Sequence, residues 1–144
     1  MGQGAYIFAP EGPDLSPGEA AFFRDADPWG FILFQRNCVD PDQLRRLTSA
    51  LRDAVGRDAP ILIDQEGGRV QRMRAPHWRE WLPPLDQVEL FSSRGGLKSG
   101  PDFGAETVGV SARAMYRRGW LIGAVLLAAG IGGPGAPSGV RAWP

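Results

Sequence analysis

The sequence has very little cysteine or histidine: Cys38 and His77 are the single residues of each type among 144. A disulfide within the chain and a cysteine-rich zinc site are therefore excluded. His77 has no further ligand at a useful spacing, which disfavours a metal site. A lone cysteine suits a reducing compartment, and Cys38 is expected to be a small buried apolar side chain.

Net charge and long apolar runs are also lacking. Lys and Arg together number 16, as do Asp and Glu, so the formal net charge is zero. No basic block interleaved with aromatic residues occurs, which argues against nucleic acid or an anionic membrane as partner. The most apolar run, residues 120–133, is shorter than the about 20 residues that a membrane-spanning helix needs. The first residues show no signal-peptide pattern, so we expect a cytoplasmic protein.

The sequence does contain an alternation of short apolar runs and amphipathic segments. Apolar runs at residues 5–9, 30–34 and 60–63 predict three strands. The runs are continuous, which is typical of strands buried on both faces of a parallel sheet. The alternation predicts an α/β fold, either a doubly wound sheet or a (β/α) barrel.

Helix signals lie between these strands. Ser16 with Glu19, and Asp40 with Gln43, have the spacing of capping boxes, and a proline follows each cap. The second of these helices has apolar residues at spacings of three and four, and Gly56 is a candidate helix stop.

The second half of the chain gives weaker signals. Residues 75–87 read as an irregular loop, and Trp78 and Trp81 are expected to pin it to the rest of the fold rather than to stack on sugar rings. Residues 105–129 read as a long helix, on which Arg117 and Arg118 are expected to form a solvated face.

The third predicted strand runs directly into a polar cluster, ILIDQEGGRVQRMR at residues 61–74. Ligands bind at the carboxyl ends of the strands in parallel α/β folds, and Asp64 occupies that place. Arg36 and Asn37 follow the second strand in the same way, and Glu11 follows the first. We therefore expect polar side chains from three strand ends along one rim.

The composition of this cluster indicates what it binds. Two acids, a glycine pair and three arginines are more than one turn needs. A glycine pair after a strand could cradle a phosphate, but no phosphate-loop motif is present and the acids would repel a phosphate. A carboxylate beside arginines suits a neutral polyol better, because the acid accepts hydrogen bonds from hydroxyls and the arginines donate to them.

Three segments, GFILFQRN, DPDQLRRLTSALR and ILIDQEGGRVQRM, together resemble bacterial β-N-acetylglucosaminidases of glycoside hydrolase family 3. The resemblance covers residues from about 5 to about 90, and a weaker similarity continues in GWLIGAVLLAAGI. It implies a TIM-type (β/α)8 barrel. Residues 1–131 would supply about its first half, and residues 132–144 would form an irregular Gly/Pro-rich tail.

The resemblance also implies an activity. Members of this family hydrolyse terminal β-linked N-acetylglucosamine residues with retention of configuration, use no cofactor, and act in cytoplasmic recycling of peptidoglycan. The resemblance assigns contact with the sugar hydroxyls to Asp64 and a second binding role to Arg72. The remaining motif residues are expected to shape the loop: Glu66, Gly67, Gly68 and Arg69.

The catalytic residues that the resemblance implies have no counterpart in this chain. They are an Asp late in the barrel, the nucleophile, and a His after a K-H-F-P-G-H-G motif, the acid/base. The loss of periodicity after Ile131 fits a shifted reading frame or an early stop, so we expect a catalytically incomplete family member.

Two other functions remain open from the sequence. One is a noncatalytic sugar-binding remnant; the other, a nucleotide-binding α/β protein, is disfavoured by the missing phosphate loops. The expected partner is a saccharide or muropeptide that contains N-acetylglucosamine. Exposed barrel edges also favour self-association.

Overall fold

The computed structural model of the protein describes the backbone of residues 3–94 and 105–133 and the side chains of residues 3–91 and 112–133. Three strands alternate with two helices, and a short pair of strands and two further helices follow. In chain order they are β1 (Gly4–Phe8), α1 (Pro17–Ala26), β2 (Pro28–Leu33), a 3-10 turn (Gln35–Asn37), α2 (Pro41–Val55), β3 (Ile61–Ile63), β4 (Gln65–Gly67), β5 (Val70–Gln71), α3 (Pro84–Arg94) and α4 (Ala105–Ala128).

The first three strands form one parallel sheet in the order β1–β2–β3. In the register of the sheet, Phe31 lies beside Ile61 and Leu33 beside Ile63. One face of the sheet packs against α1 and α2, and the short antiparallel pair β4–β5 follows β3 directly. The buried core between these elements is formed by Phe23, Phe31, Leu33, Leu44, Leu47, Leu51, Ala59, Ile61, Met73, Ala129 and Ile131.

The opposite face of the sheet is open in the part of the chain that the structure describes. Ile7 is 43% exposed and Leu62 is 39% exposed. The register places Ile32 beside Leu62 on this face. The prediction that the strands are buried on both faces is therefore wrong within these residues, because α1 and α2 both cover the same side. The parallel α/β arrangement is confirmed, whereas the described strands do not close into a barrel.

The first predicted capping box is confirmed and the second is only half formed. The backbone amide of Glu19 donates to Ser16 Oγ at 3.2 Å, and the Ser16 amide donates to Glu19 Oε2 at 3.2 Å. At the start of α2, Asp40 Oδ1 accepts from the Gln43 amide at 2.8 Å. The side chain of Gln43 accepts instead from the amide of Val39, one residue before the cap.

Other helix limits agree with the sequence in part. Gly56 ends α2 with φ of 67°, the left-handed conformation that favours glycine. The long helix α4 confirms the prediction for residues 105–129. The loop predicted for residues 75–87 is wrong at its end, because α3 begins at Pro84, a residue well suited to a first helical turn.

Two further predictions concern Cys38 and the end of the chain. Cys38 is partly buried as expected, and this burial raises the pKa of its thiol to about 11. Most of the predicted tail at residues 132–144 lies outside the described residues, which end at Gly133. Gly132 forms an antiparallel bridge to Ile61 of β3, with N–O distances of 2.7 and 2.9 Å.

The capping box at α1 gives a test of stability against pH. Burial alone would raise the pKa of Glu19, but hydrogen bonds from the backbone of Glu11 and Ser16 and from the Ser16 hydroxyl lower it below its usual 4.5. A carboxyl with a lowered pKa stabilises the fold above its unfolded-state pKa, and this stabilisation is lost as the pH falls through the folded-state value. We expect Glu19→Gln to lower the free energy of unfolding by about 1 kcal/mol at neutral pH.

Urea denaturation at neutral pH and at about pH 3 measures this contribution, since the difference from the unmodified chain should shrink at the lower pH. Glu89→Gln, at an exposed position of α3, is the matched control and should change little at either pH. A loss in Glu19→Gln that is equal at both pH values contradicts the assigned role of the carboxylate.

Candidate functional site

Two of the predicted site residues lie in direct contact. Asp64 follows β3, and Arg72 follows β5 after the chain has reversed through the β4–β5 hairpin. The Arg72 Nη2 atom lies 2.9 Å from Asp64 Oδ2. The Asp64 side chain is 45% exposed and that of Arg72 is 26% exposed, so the pair is formed and remains open to a ligand.

The pair is held in place by Gln65, a buried residue for which the sequence predicts no role. Its Oε1 atom accepts from the backbone amides of Arg72 and Met73, each at 3.0 Å. Its Nε2 atom donates to the carbonyl of Met73 at 3.0 Å. Met73 is fully buried in the core. The side-chain amide of Gln65 therefore fixes the backbone of Arg72 relative to the core.

Gln71 connects the hairpin to the loop that follows it. Its Nε2 atom donates to the carbonyls of Met73 and Arg79 at 2.9 and 3.0 Å, and its Oε1 atom accepts from the Trp81 amide at 3.0 Å. The Trp81 carbonyl in turn accepts from the amide of Gly68 at 2.8 Å. These bonds give the tryptophan-containing loop a defined path across the hairpin.

The two glycines of the hairpin turn have positive φ, 102° at Gly67 and 60° at Gly68. A Cβ atom at Gly67 would lie 2.5 Å from the carbonyl oxygen of Leu82, and one at Gly68 would lie 2.7 Å from Cγ of Pro83. Both the conformation and the close packing therefore favour glycine at these positions.

The other two motif residues, Glu66 and Arg69, have exposed side chains. Within the described residues these side chains form no hydrogen bond or ion pair. The backbone of Glu66 is the part that makes a contact, since its carbonyl accepts a hydrogen bond from Arg118. The side chains of Glu66 and Arg69 are thus available at the surface of the hairpin.

Arg118 corrects one prediction. Arg117 is exposed as expected, but Arg118 is only 4% exposed and is not part of a solvated helix face. It donates to the backbone carbonyls of Glu66 and Leu82, the latter at 2.7 Å, and to Oε1 of Gln87. Burial lowers the pKa of Arg118.

Spacing along α4 could have indicated this burial. Arg118 lies three residues after Met115 and four before Ile122, both partly buried, so all three share one side of the helix. The arginine joins α4 to the backbone of the hairpin, more than 40 residues earlier in the chain.

Asn37, one of the two residues predicted to line the rim after the second strand, does not lie there. Asn37 is completely buried: its Oδ1 accepts from the Phe34 amide at 2.8 Å, and its Nδ2 donates to the carbonyls of Pro10 and Gly12 at 3.0 and 2.7 Å. Its prediction as a rim residue is therefore wrong. It serves to hold the loop after β1.

Phe34 and Arg36 take the place of Asn37 beside the pair. The guanidinium carbon of Arg72 lies 5.9 Å from the centroid of the Phe34 ring, and that of Arg36 lies 4.9 Å from it. Glu11, the residue predicted for the first strand end, is exposed, and its amide donates to the Glu19 carboxylate at 2.8 Å. The rim thus consists of Asp64 and Arg72, with Phe34 and Arg36 adjoining them.

This arrangement is suited to binding a polar, uncharged ligand. The Asp64 carboxylate accepts hydrogen bonds, the Arg72 guanidinium donates them, and each partly neutralises the other. Within residues 3–94 and 105–133, no three His, Cys, Asp or Glu side chains come together as the ligands of a metal ion would. His77 is exposed and lies edge-on to Trp78, with the ring centroids 5.9 Å apart.

Comparisons with known proteins agree with the sequence resemblance. The chain matches no protein-family profile. It is 38% identical over 120 residues to a β-hexosaminidase of Methylococcus capsulatus, covering 83% of this chain and 30% of that protein. It is 34% identical over 129 residues to a β-hexosaminidase of Alkalilimnicola ehrlichii, covering 89% of this chain and 33% of that protein. The chain spans about a third of the length of these curated relatives.

Solved structures give the same result. The crystal structure of NagZ from Neisseria gonorrhoeae in complex with zinc ion superposes with a TM-score of 0.72 at 26% identity, over 90% of this chain and 35% of that one. A glycoside hydrolase family 3 β-N-acetylglucosaminidase from Paenibacillus shares the fold, with a TM-score of 0.63 over 87% of this chain and 21% of that one.

Sequence and fold together show that the chain belongs to glycoside hydrolase family 3. Within that family, the relatives that it matches in sequence are β-hexosaminidases, and NagZ shares its fold. No helix among the described residues has both the length and the apolar character needed to cross a membrane.

The role of Gln65 in holding the hairpin can be tested by replacing it with leucine, which has a similar size. Gln65→Leu leaves the amides of Arg72 and Met73 without their partner, whereas the Met73 carbonyl keeps its hydrogen bond from Gln71. A buried polar group left without a partner costs about 1–3 kcal/mol, so we expect a loss of about 2 kcal/mol or more in the free energy of unfolding.

Glu66→Leu, at the neighbouring exposed position, is the control and should stay within about 0.5 kcal/mol of the unmodified chain. Chemical denaturation followed by circular dichroism measures both variants. Equal stabilities for the two would show that Gln65 does not hold the hairpin.

Proposed function

We propose that the chain supplies the part of a β-N-acetylglucosaminidase that binds the terminal N-acetylglucosamine of a saccharide or muropeptide. Asp64 accepts hydrogen bonds from the sugar hydroxyls, and Arg72 donates to them. Gly67 and Gly68 shape the hairpin that joins these two residues, and Glu66 and Arg69 complete its outer surface. The complete protein would act as a retaining glycoside hydrolase in peptidoglycan recycling, in the cytoplasm and without a cofactor.

The observation that carries this proposal is the contact between Asp64 and Arg72 at the carboxyl end of β3. A half-exposed carboxylate oxygen beside a fixed guanidinium presents one acceptor and one donor to the same small region of solvent. Two neighbouring hydroxyls on a sugar ring present the complementary donor and acceptor. Charge-assisted hydrogen bonds of this kind are the stronger ones in proteins.

The relatives support the choice of sugar. NagZ from Neisseria gonorrhoeae has been solved in complex with N-trifluoroacetyl-D-glucosamine, and it superposes on 90% of this chain with a TM-score of 0.71. That ligand is a glucosamine acylated on nitrogen. A site for N-acetylglucosamine in this chain agrees with both the relative's ligand and the geometry of the rim.

We assign binding but not bond cleavage to the 144 residues. The family's nucleophilic Asp and its acid/base His have no counterpart in the sequence, and Asp64 is already engaged with Arg72. The chain alone is therefore expected to release no detectable product from an aryl β-N-acetylglucosaminide. We further propose that residues 1–131 form the first half of a TIM-type barrel.

Titration with N-acetylglucosamine tests the binding role. Asp64→Asn and Arg72→Gln should each weaken binding by about tenfold or more, because each removes a charge-assisted hydrogen bond worth about 1.5–3 kcal/mol. Isothermal titration calorimetry measures the affinity, and a thermal melt of each variant separates weaker binding from loss of the fold.

Asp53→Asn provides the matched control, because Asp53 is exposed on α2 and its side chain forms no hydrogen bond or ion pair within the described residues. Its affinity for the sugar should equal that of the unmodified chain. If all three variants bind N-acetylglucosamine equally, or if the unmodified chain does not bind it, Asp64 and Arg72 do not form the site.

We also propose that the chain associates with itself through the open face of the sheet. Ile7 and Leu62 are exposed there, and β1 lies at an edge of the described sheet. Leu62→Lys should shift the protein towards the monomer in sedimentation equilibrium. Leu85→Lys, at a more exposed leucine on α3, should not, and a purely monomeric unmodified chain would contradict the proposal.

A further inference from the structure

A cavity of about 360 Å³ lies between α3 and α4, and neither Asp64 nor Arg72 lines it. Its walls come from these two helices and from the loop that precedes α3. Cavities of about 300–1,000 Å³ are the size that small organic ligands occupy in proteins. The side chains that determine its chemistry are Trp81, Gln87, Phe91, Arg113, Arg117 and Arg118.

The cavity concentrates positive charge. Among the described residues that line it, three are arginines and none is acidic. Arg113 and Arg117 are four residues apart on α4, a spacing at which like charges destabilise a helix. Neither side chain forms a hydrogen bond or ion pair within the described residues, and Arg118 donates only to uncharged acceptors there. The described residues around the cavity therefore do not balance this positive charge.

The lining residues also favour a ligand with a flat apolar part. Two aromatic residues line the cavity: Trp81, in the loop before α3, and Phe91, on α3 itself. Arginine guanidinium groups bind phosphate and carboxylate through paired hydrogen bonds, and aromatic rings pack against other planar groups. A bare inorganic anion would leave the apolar wall of such a cavity unused.

We propose that this cavity binds a small aromatic oxyanion, a phosphate or carboxylate group attached to a planar ring. Arg113 and Arg117 bind the oxyanion, and the ring packs against Trp81 and Phe91. Arg118 forms a fixed part of the wall, because its own donors hold Glu66, Leu82 and Gln87. The site stands apart from the proposed sugar site and does not depend on it.

Isothermal titration calorimetry of the 144-residue chain with three probes tests this assignment. At constant ionic strength, phenyl phosphate or benzoate should bind saturably, and the better of the two should bind about tenfold more tightly than inorganic phosphate. Which of the two aromatic probes binds better identifies the anionic group. The assignment is overturned if neither binds saturably, or if inorganic phosphate binds as tightly as the better aromatic probe.

Variants then locate the binding. R113Q/R117Q should weaken the binding of the better aromatic probe by about tenfold or more. R24Q/R46Q, at exposed arginines of α1 and α2, should leave this binding unchanged. Phe91→Leu should weaken the binding of the aromatic probe but not that of inorganic phosphate. Equal effects of the two double variants, or no effect of Phe91→Leu on the aromatic probe, would place the binding elsewhere.

Discussion

The geometry of the rim depends on one buried side-chain amide, that of Gln65. A carboxylate after a strand and an arginine eight residues later do not meet unless the chain between them turns back tightly. Gln65 closes this turn by accepting from two consecutive amides, at Arg72 and Met73, and by donating to the Met73 carbonyl. Since Met73 is fully buried, the turn is fixed to the core, and the Asp64–Arg72 contact follows from it.

The hairpin is held from its other side as well. Arg118 donates to the Glu66 carbonyl, and the Trp81 carbonyl accepts from Gly68, so α4 and the loop before α3 both contact the turn. This close approach explains why the turn contains Gly67, where a side chain would collide with the Leu82 carbonyl and with Arg118 itself. Three uncharged oxygen acceptors take hydrogen bonds from the two terminal nitrogens of this arginine, which offsets part of the cost of burying it.

Local signals predicted most of the elements but fewer of the side-chain roles. Strands, capping residues and the helix stop at Gly56 depend on neighbouring residues, so α1, α2 and β1–β3 could be predicted from the sequence. The contact between Asp64 and Arg72 agrees with the family motif. Asn37 was misplaced because an amide after a strand has the same residue type whether it faces a ligand or holds a loop. Gln65 was missed because its three bonds depend on a turn that no local pattern specifies.

The burial of Arg118 has a different origin and links the two proposed sites. Its partners lie on the hairpin, the following loop and α3, so only the packed fold brings them together. Arg118 and Trp81 line the cavity between α3 and α4, and both also contact the hairpin that joins Asp64 to Arg72. The turn that joins Asp64 to Arg72 is therefore held in part by α4, although that helix contributes no side chain to the rim.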